Sequence, residues 1–344
     1  MEINELIENT ILDIYKTKYY SVIIGLSPSR GARSPKLWNA AFSGIGFPGY
    51  MYPVDVLPNK LGKLINYLRL DKRFIGGSVA VPYKTNVLKY LDEIEENTRA
   101  IGAVNCFYKD SNGKLIGTNT DGLGALWSLK TAYGDLIDAK VLLLGAGGAA
   151  SAVSSYVGKA IGKNGRLFIS NRNKQKSDEL IKKLSNVCNV SPVSWPVSYE
   201  KTKNIDIIIN CTSIGFDNPI KDKNGFYSLK FYSPLGFKKN SIRISQIENL
   251  NREYVHKAAK NIAENFFKTK HYLSLHKNLL IFDIIYQPKL TCLLFMGNLI
   301  GHNILSGNGM NLEQAVIAFD KTTSATGLRN LNQNEVRKYM KEVI

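Results

Sequence analysis

The chain has 344 residues, 45 Lys and Arg against 28 Asp and Glu, a net charge of +17 and a hydrophobic fraction of 44%. This length allows two domains of ordinary size, the composition is that of a globular rather than a disordered protein, and no apolar run approaches the roughly 18 residues of a membrane span. Lysines are interleaved with Asn, Ile and Tyr along the whole chain, so the excess charge reads as solvated faces and a field that draws anionic ligands, not as a nucleic-acid stripe or a membrane anchor.

The first residues, Met1-Glu2-Ile3-Asn4-Glu5, are acidic and lack the pattern of a signal peptide, so a cytoplasmic location is expected. Ile3, Leu6, Ile7, Ile11, Leu12 and Ile14 predict an amphipathic helix over 2–15. A strand is expected over 20–24, then a loop rich in Gly, Ser and Pro over 25–35, and a helix over 34–42 with Pro35 in its first turn, where a missing N–H costs nothing. Further along come a strand over 50–56, a helix over 61–68 and a short strand over 77–81. Alternation is clearest in the middle of the chain. A strand over 140–144, a glycine turn over 145–148, a helix over 149–160, a strand over 166–170, a helix over 174–184 and a strand over 205–210 form the βαβ signature of a parallel sheet. Between 217 and 277 the pattern degrades into a basic stretch, which reads as an insertion carrying helix over 251–267. A strand over 279–286 and a helix over 311–322 follow. Cys106, Cys188, Cys211 and Cys292 are far apart and are expected to be reduced thiols, without zinc or a disulfide framework.

The turn Gly145-Ala146-Gly147-Gly148-Ala149-Ala150 follows a strand and opens a helix. Glycine lets the backbone approach a pyrophosphate, and a helix N-terminus offers free N–H groups to its charge. The generic glycine motif is weak by itself. Its strand–turn–helix context predicts dinucleotide binding. The next strand ends Ser170-Asn171-Arg172-Asn173-Lys174-Gln175-Lys176, with no acid before Asp178. An NAD site usually has an acid there for the ribose hydroxyl, whereas NADP needs cations for the 2′-phosphate. Arg172, with Lys174 or Lys176, meets that need, so NADP is the expected cofactor.

Three other stretches combine polar and apolar residues: Val79-Ala80-Val81-Pro82-Tyr83-Lys84, Gly102-Ala103-Val104-Asn105-Cys106 and Gly117-Thr118-Asn119-Thr120-Asp121-Gly122-Leu123-Gly124. Singly, Lys84 reads as a surface lysine, Asn105 as a turn former and Asp121 as a helix cap. Together and in this order they resemble the V-T-x-P-x-K, A-V-N and G-x-N-T-D-x-x-G motifs of the shikimate dehydrogenase family. The glycine turn, Asn171-Arg172, the stretch from Asn210 to Gly215 and Asp283-Ile284-Ile285-Tyr286-Gln287-Pro288 extend the resemblance. Gly309-Met310-Asn311-Leu312-Glu313-Gln314-Ala315 closes it.

The resemblance implies a two-domain α/β protein with a cleft between the domains. Residues 1–125, completed by C-terminal helices over 306–344, would form an α/β substrate domain. Residues 126–305 would form a Rossmann-type NADP domain interrupted by the insertion. It further implies NADP-dependent hydride transfer between 3-dehydroshikimate and shikimate, with Lys84 and Asp121 as the catalytic pair. Ser34, Asn105, Tyr286 and Gln314 would bind substrate, with Arg33 nearby. Gly145, Ala146, Gly147, Gly148, Ala149, Asn171, Arg172, Lys176 and Thr212 would bind the cofactor. No metal, nucleic acid or membrane is expected as a partner, and the chain is expected to be a monomer or homodimer.

The pattern departs from the family at the substrate carboxylate. Aligned back from Ser34-Pro35, one of the family's serines becomes Ala32, its histidines become Gly31 and Trp38, and the threonine of V-T-x-P-x-K becomes Ala80. A one-residue gap placed differently would let Ser29 replace the lost serine. Arg30 and Arg33 lie close by in the chain and offer another grip on a carboxylate. The rival readings are a dehydrogenase of a related ring, such as quinate, an aminoshikimate or another cyclitol acid, and a non-catalytic NADP-binding homologue.

Overall fold

The computed structural model describes residues 2–11, 14–238, 241–327 and 331–344. Two compact units emerge, Met1–Gly124 with Asn311–Ile344, and Ala125–Met310.

The first unit begins β1 (Tyr19–Gly25), α1 (Ser34–Gly44), β2 (Gly49–Asp55), α2 (Leu61–Leu70) and β3 (Phe74–Val79). It continues β4 (Glu93–Ile94), α3 (Glu96–Ile101), β5 (Cys106–Lys109) and β6 (Leu115–Thr118), and ends in the start of α4 (Asp121–Tyr133). The sheet order is β2-β1-β3-β5-β6-β4. β1 runs parallel to β2 and β3, while β5 is antiparallel to β3 and β6. Strand side chains alternate between two covered faces. Val22, Ile24, Val54 and Val56 pack with Leu64, Ile65 and Leu68 of α2. Met51, Ile75 and Cys106 pack with Trp38 and Phe42 of α1. Each such side chain contributes roughly 1.5–3 kcal/mol when fully buried.

The expected N-terminal helix is replaced by two 3₁₀ turns, Ile3–Glu5 and Ile14–Lys16; residues 12 and 13 of that expectation lie outside the described residues. The reason is competition for backbone groups. Asn4 Nδ2 donates to Ile11 O at 3.1 Å and its Oδ1 accepts from Ile11 N at 3.0 Å. Asn9 Nδ2 donates to Pro53 O, its Oδ1 accepts from Asp55 N, and Glu8 N donates to Asp55 O. Asparagine offers the chain alternatives to a helical ladder, and here the edge of β2 takes them. The apolar residues still reach the core: Ile3, Leu6, Ile7, Ile11 and Ile14 are buried.

The second unit holds β7 (Lys140–Leu144), α5 (Gly148–Ala160), β8 (Arg166–Ser170), α6 (Lys174–Leu184), β9 (Asn189–Val193) and β10 (Ile207–Asn210). A hairpin of β11 (Ile220–Asp222) and β12 (Gly225–Tyr227) follows, then α7 (Val255–Ser274), β13 (Leu280–Asp283), α8 (Cys292–Ile300) and β14 (Asn303–Ser306). The six-stranded sheet is wholly parallel, in the order β14-β13-β10-β7-β8-β9. This is the doubly wound Rossmann arrangement, in which ligands bind beyond the carboxyl ends of the strands. Both faces are covered, which explains the continuous apolar runs. Val141, Leu143, Ile207 and Ile209 face Val153 and Val157 of α5. Leu142, Leu144, Ile208 and Ile281 face Leu273 of α7 and Leu293 of α8. Pro192 is confined to the edge strand β9, where a missing N–H is tolerated.

The insertion is folded. Its hairpin and the start of its helix enclose a core of Leu229, Tyr232, Phe237, Ile244, Leu250 and Tyr254. The helix begins later than expected, at Val255, because 250–254 form a π turn, and it continues to Ser274. The strand expected over 279–286 ends at Asp283, where the carboxylate accepts from Ile285 N and turns the chain. The chain closes with α9 (Gly307–Ser324) and α10 (Gln333–Lys341), whose Val316, Phe319, Val336 and Met340 complete the α1 side of the first unit. None of the described helices is long and apolar enough to cross a membrane.

Candidate active site and cofactor pocket

The three polar stretches of the first unit converge. Tyr83 is fully buried and donates from its hydroxyl to Val56 O at 2.6 Å, which anchors the turn after β3. Val104 N donates to Lys84 O at 2.7 Å, tying the second stretch to the first. Asp121 is the first residue of α4, where the helix dipole favours a carboxylate. Its own N–H donates to Asn119 Oδ1 at 3.2 Å. Lys84 Nζ donates to Asp121 Oδ2 at 2.7 Å. Asn105 Nδ2 donates to Asp121 Oδ1 at 2.8 Å and lies 3.0 Å from Thr120 Oγ1 and 3.3 Å from Gln314 Oε1. An amide nitrogen has two hydrogens, so the Gln314 contact is the weakest of the three. Thr120 N donates to Asn105 Oδ1 at 2.7 Å, and Thr120 Oγ1 donates to Gln314 O at 3.0 Å.

Lys84, Asn105, Asp121 and Gln314 are thus one network. The lysine side chain retains 34% of its exposure and the aspartate 14%, so the pair is shielded but reachable. An ammonium and a carboxylate in this geometry can hold and exchange a proton with a bound hydroxyl. Thr120 is a member that sequence reasoning did not single out, although it sits between Asn119 and Asp121 in the motif. Arg33 and Ser34 open the α1 segment, both half-buried. Tyr286 lies in the second unit, after β13, and is half-buried.

The altered carboxylate motif has a definite packing. Ser29 N and Oγ both donate to the Asp55 carboxylate, so that hydroxyl is already engaged at the end of β2. Trp38 is fully buried, edge-on to Phe42 and Phe319, and serves the core. Ala80 N donates to Ile24 O at 2.8 Å, so its backbone holds the sheet and its side chain brings no hydroxyl.

In the second unit a cavity of about 450 Å³ opens at the carboxyl ends of β7, β8 and β10. Gly145, Ala146, Gly147, Asn171, Arg172 and Lys176 line it, as do Thr212 and the insertion residues Tyr227, Phe237 and Arg243. Gly145 has φ +113°, and a Cβ there would meet Cys211 O at 3.0 Å, so the turn demands glycine. At Gly147 a Cβ would meet nothing within 4 Å, which leaves room for a ligand against the backbone. Gly148 and Ala149 are the first residues of α5. Thr212 Oγ1 donates to Asn210 Oδ1 at 2.7 Å and accepts from Ile214 N at 3.0 Å, which fixes the turn after β10. Asn171 Nδ2 donates to Asn173 O, and Asn173 Oδ1 caps α6 by accepting from Lys176 N. The exposed Arg172 and Lys176 therefore border a pocket with amide donors and two cations, and the glycine turn leaves backbone room. This donor set fits a 2′-phosphorylated dinucleotide. Sequence reasoning missed Trp195, Tyr227, Phe237 and Arg243 as lining residues, since an insertion and a lone tryptophan carry no motif.

The family model for the shikimate dehydrogenase substrate binding domain matches residues 23–107, and that for shikimate / quinate 5-dehydrogenase matches residues 128–228. A shikimate dehydrogenase (NADP(+)) of Methanocaldococcus jannaschii is 30% identical over 302 residues, covering 86% of this chain and 89% of the relative. The chain belongs to the shikimate dehydrogenase family. Another member, shikimate dehydrogenase (NADP(+)) of Desulforamulus reducens, is 28% identical, covering 90% of this chain and 94% of its own. Among solved structures, a shikimate dehydrogenase in complex with NADP+ matches with a TM-score of 0.68 at 26% identity, covering 95% of this chain and 96% of that one. The shikimate 5-dehydrogenase of Listeria monocytogenes shares the fold, with a TM-score of 0.72 at 24% identity, covering 95% and 96% of the two chains.

Family membership accounts for the order of the motifs, while the geometry accounts for why each is needed. Asp283, at the end of β13, accepts from Thr291 Oγ1, Asn210 Nδ2 and Ile285 N. Those three donors oppose a larger effect: burial pushes its carboxyl up to about 7. This bonded group joins the two motif strands β10 and β13.

Proposed function

We propose that this chain is an NADP-dependent shikimate dehydrogenase, interconverting 3-dehydroshikimate and shikimate by hydride transfer. The observation that carries the reading is the 2.7 Å contact between Lys84 Nζ and Asp121 Oδ2, made by residues of two separate family motifs. The first unit serves as the substrate domain and the second as the cofactor domain. Bound NADP supplies the hydride acceptor or donor. The amide groups of the glycine turn and the start of α5 would hold its pyrophosphate, and Arg172 and Lys176 would hold its 2′-phosphate.

The chemistry asked of Lys84 and Asp121 is proton transfer. Oxidation of a ring hydroxyl to a ketone releases one proton as hydride leaves, and reduction takes one back. The Lys84–Asp121 pair holds that proton beside the reacting oxygen. Asn105 occupies Oδ1 of the carboxylate and so keeps Oδ2 turned to the lysine. Asn105 and Gln314 meet the remaining ring hydroxyls, and Ser34 and Arg33 are the first unit's groups for the rest of the substrate.

A related ring acid is the second reading. Ala32 and Ala80 bring no hydroxyl, and Ser29 is engaged with Asp55. Steady-state assays with NADP⁺ and NAD⁺ against shikimate, quinate and a panel of cyclitol acids test both. Turnover of shikimate with NADP⁺ at the highest kcat/KM is expected. A clear preference for another ring acid would replace the substrate, and no turnover of any would overturn the enzyme reading.

A further inference from the structure

The cofactor pocket has a wall outside the short motifs: its Ile220 and Tyr227 fall within residues 128–228 matched by the family model, and its Phe237 and Arg243 fall beyond them. Its lining comes from the glycine turn of 145–147, the end of β8, Trp195 after β9, the end of β10 and the insertion. Of these, β7, β8 and β9 form the half-sheet that carries Arg172 and Lys176, the adenosine half of a doubly wound fold, and β10 is the neighbouring strand of the other half. Phosphate recognition there needs cations and amides. The lining also includes the apolar residues Trp195, Ile220, Tyr227, Leu229 and Phe237.

The insertion holds Tyr227 rigidly. β11 and β12 pair in register from Ile220–Tyr227 to Asp222–Gly225. A third segment joins through Phe226 and Ile244, with Phe226 N donating to Ile244 O at 2.8 Å and Ile244 N to Phe226 O at 3.0 Å. That pairing brings the Arg243 guanidinium onto the Tyr227 ring, 3.8 Å from its centroid. Arg243 Nε and Nη2 both reach Asp222 Oδ2, at 2.8 and 2.7 Å, and Nη1 donates to Ile242 O. The charge of Arg243 is thus met by Asp222, which makes the guanidinium a fixed planar prop for the ring more than a phosphate ligand.

We infer that the inserted hairpin is an adenine-side wall of the cofactor pocket, with Tyr227 as a purine-contacting residue and Arg243 as the residue that positions it. The inference rests on the NADP reading of the same pocket and adds a contact indifferent to the 2′-phosphate. A flat aromatic surface recognises any adenine ring, whereas Arg172 distinguishes the phosphate.

The test is calorimetric binding of NADPH, NADH and adenosine 2′,5′-bisphosphate to the full chain and to Tyr227→Leu, Tyr227→Phe and Arg243→Gln. Tyr227→Leu is expected to weaken all three ligands by a common factor of about tenfold, the loss of one stacked base. Tyr227→Phe should restore binding, and Arg243→Gln should weaken all three ligands less than Tyr227→Leu does. Unaltered affinities in Tyr227→Leu, with the wild type binding NADPH tightly, would overturn the wall and leave the NADP reading intact. Failure of the wild type to bind either NADPH or the bisphosphate would overturn both. Should Tyr227→Leu not fold, hydrogen exchange on the wild type decides: adenosine 2′,5′-bisphosphate should slow amides in 222–228 and 242–245, and no protection there overturns the inference.

Discussion

Asn105 Nδ2 donates to Asp121 Oδ1 at 2.8 Å, leaving Oδ2 to Lys84 Nζ at 2.7 Å. One carboxylate is therefore divided between the Asn105 amide and the Lys84 ammonium. Removal of either ionised partner should stop proton transfer without touching the cofactor pocket. Lys84→Ala and Asp121→Asn are each expected to lower kcat by roughly 10²–10⁴-fold, the range of a general acid–base group. NADPH affinity by calorimetry should stay near the wild-type value. Near-normal turnover in both variants would remove the pair from the mechanism.

Arg172 borders the pocket beside the capped start of α6. Losing a hydrogen bond to a charged group costs roughly 1.5–3 kcal/mol. Arg172→Ala should therefore raise the dissociation constant of NADPH by about tenfold to 150-fold and leave that of NADH nearly unaltered. Equal losses for both nucleotides would exclude Arg172 as the phosphate ligand.

Ser29 is spent on Asp55, so the missing hydroxyls at Ala32 and Ala80 have no substitute there. Ala32→Ser with Ala80→Thr is expected to raise kcat/KM for shikimate by about tenfold, equal to roughly 1.4 kcal/mol. Arg33→Ala supplies the contrast. No gain in the double variant, together with collapse in Arg33→Ala, would mean that the arginine grips the carboxylate instead.

Arg337 of α10 donates from Nε and Nη2 to the two oxygens of Glu313, at 2.7 and 2.9 Å, and the Glu313 side chain is 1% exposed. Arg337→Ala would strand a buried carboxylate beside Gln314. A loss of about 3 kcal/mol in unfolding free energy is expected. Glu313→Gln in the same chain should recover part of it, as read by urea denaturation. No loss in the single variant would show the pair to be dispensable.

Asp283 and His276 pull stability in opposite directions over the same pH range. Burial raises the Asp283 carboxyl to about 7 from an ordinary value of 3.8. The folded state then binds more protons than the unfolded one from about pH 4 to 7, and stability falls as pH rises through that window. Burial, with His302 adding to it, lowers His276 from 6.5 to about 4. The unfolded state then binds more protons, and stability is lost as pH falls through the window. Asp283→Asn should leave only the rising slope, and His276→Gln only the falling one, in urea midpoints taken from pH 4.5 to 7.5. Identical slopes in wild type and both variants would contradict the two shifts.

The parallel strands were legible because a strand covered on both faces must be apolar throughout, and 140–144 and 166–170 match β7 and β8 to the residue. The glycine turn and the cations after β8 were singled out from residue type and spacing alone, and Gly145, Gly147, Arg172 and Lys176 line one cavity. The N-terminal segment was misread because its helical spacing of apolar residues is satisfied equally by two 3₁₀ turns, once Asn4 and Asn9 have redirected the backbone.

By itself, then, the sequence determined which residues could carry a proton, a phosphate or a buried strand, because those properties belong to residue types and short spacings. Only the tertiary structure decided that Thr120 joins the Lys84–Asp121 network, that Ser29 is claimed by Asp55, and that the insertion brings Tyr227 to the cavity at the glycine turn. The physical reason is the separation of the partners. Asn105 and Gln314 stand 209 residues apart, and no local pattern encodes such a contact. It exists only after strands and helices have buried their apolar faces and carried those polar side chains along.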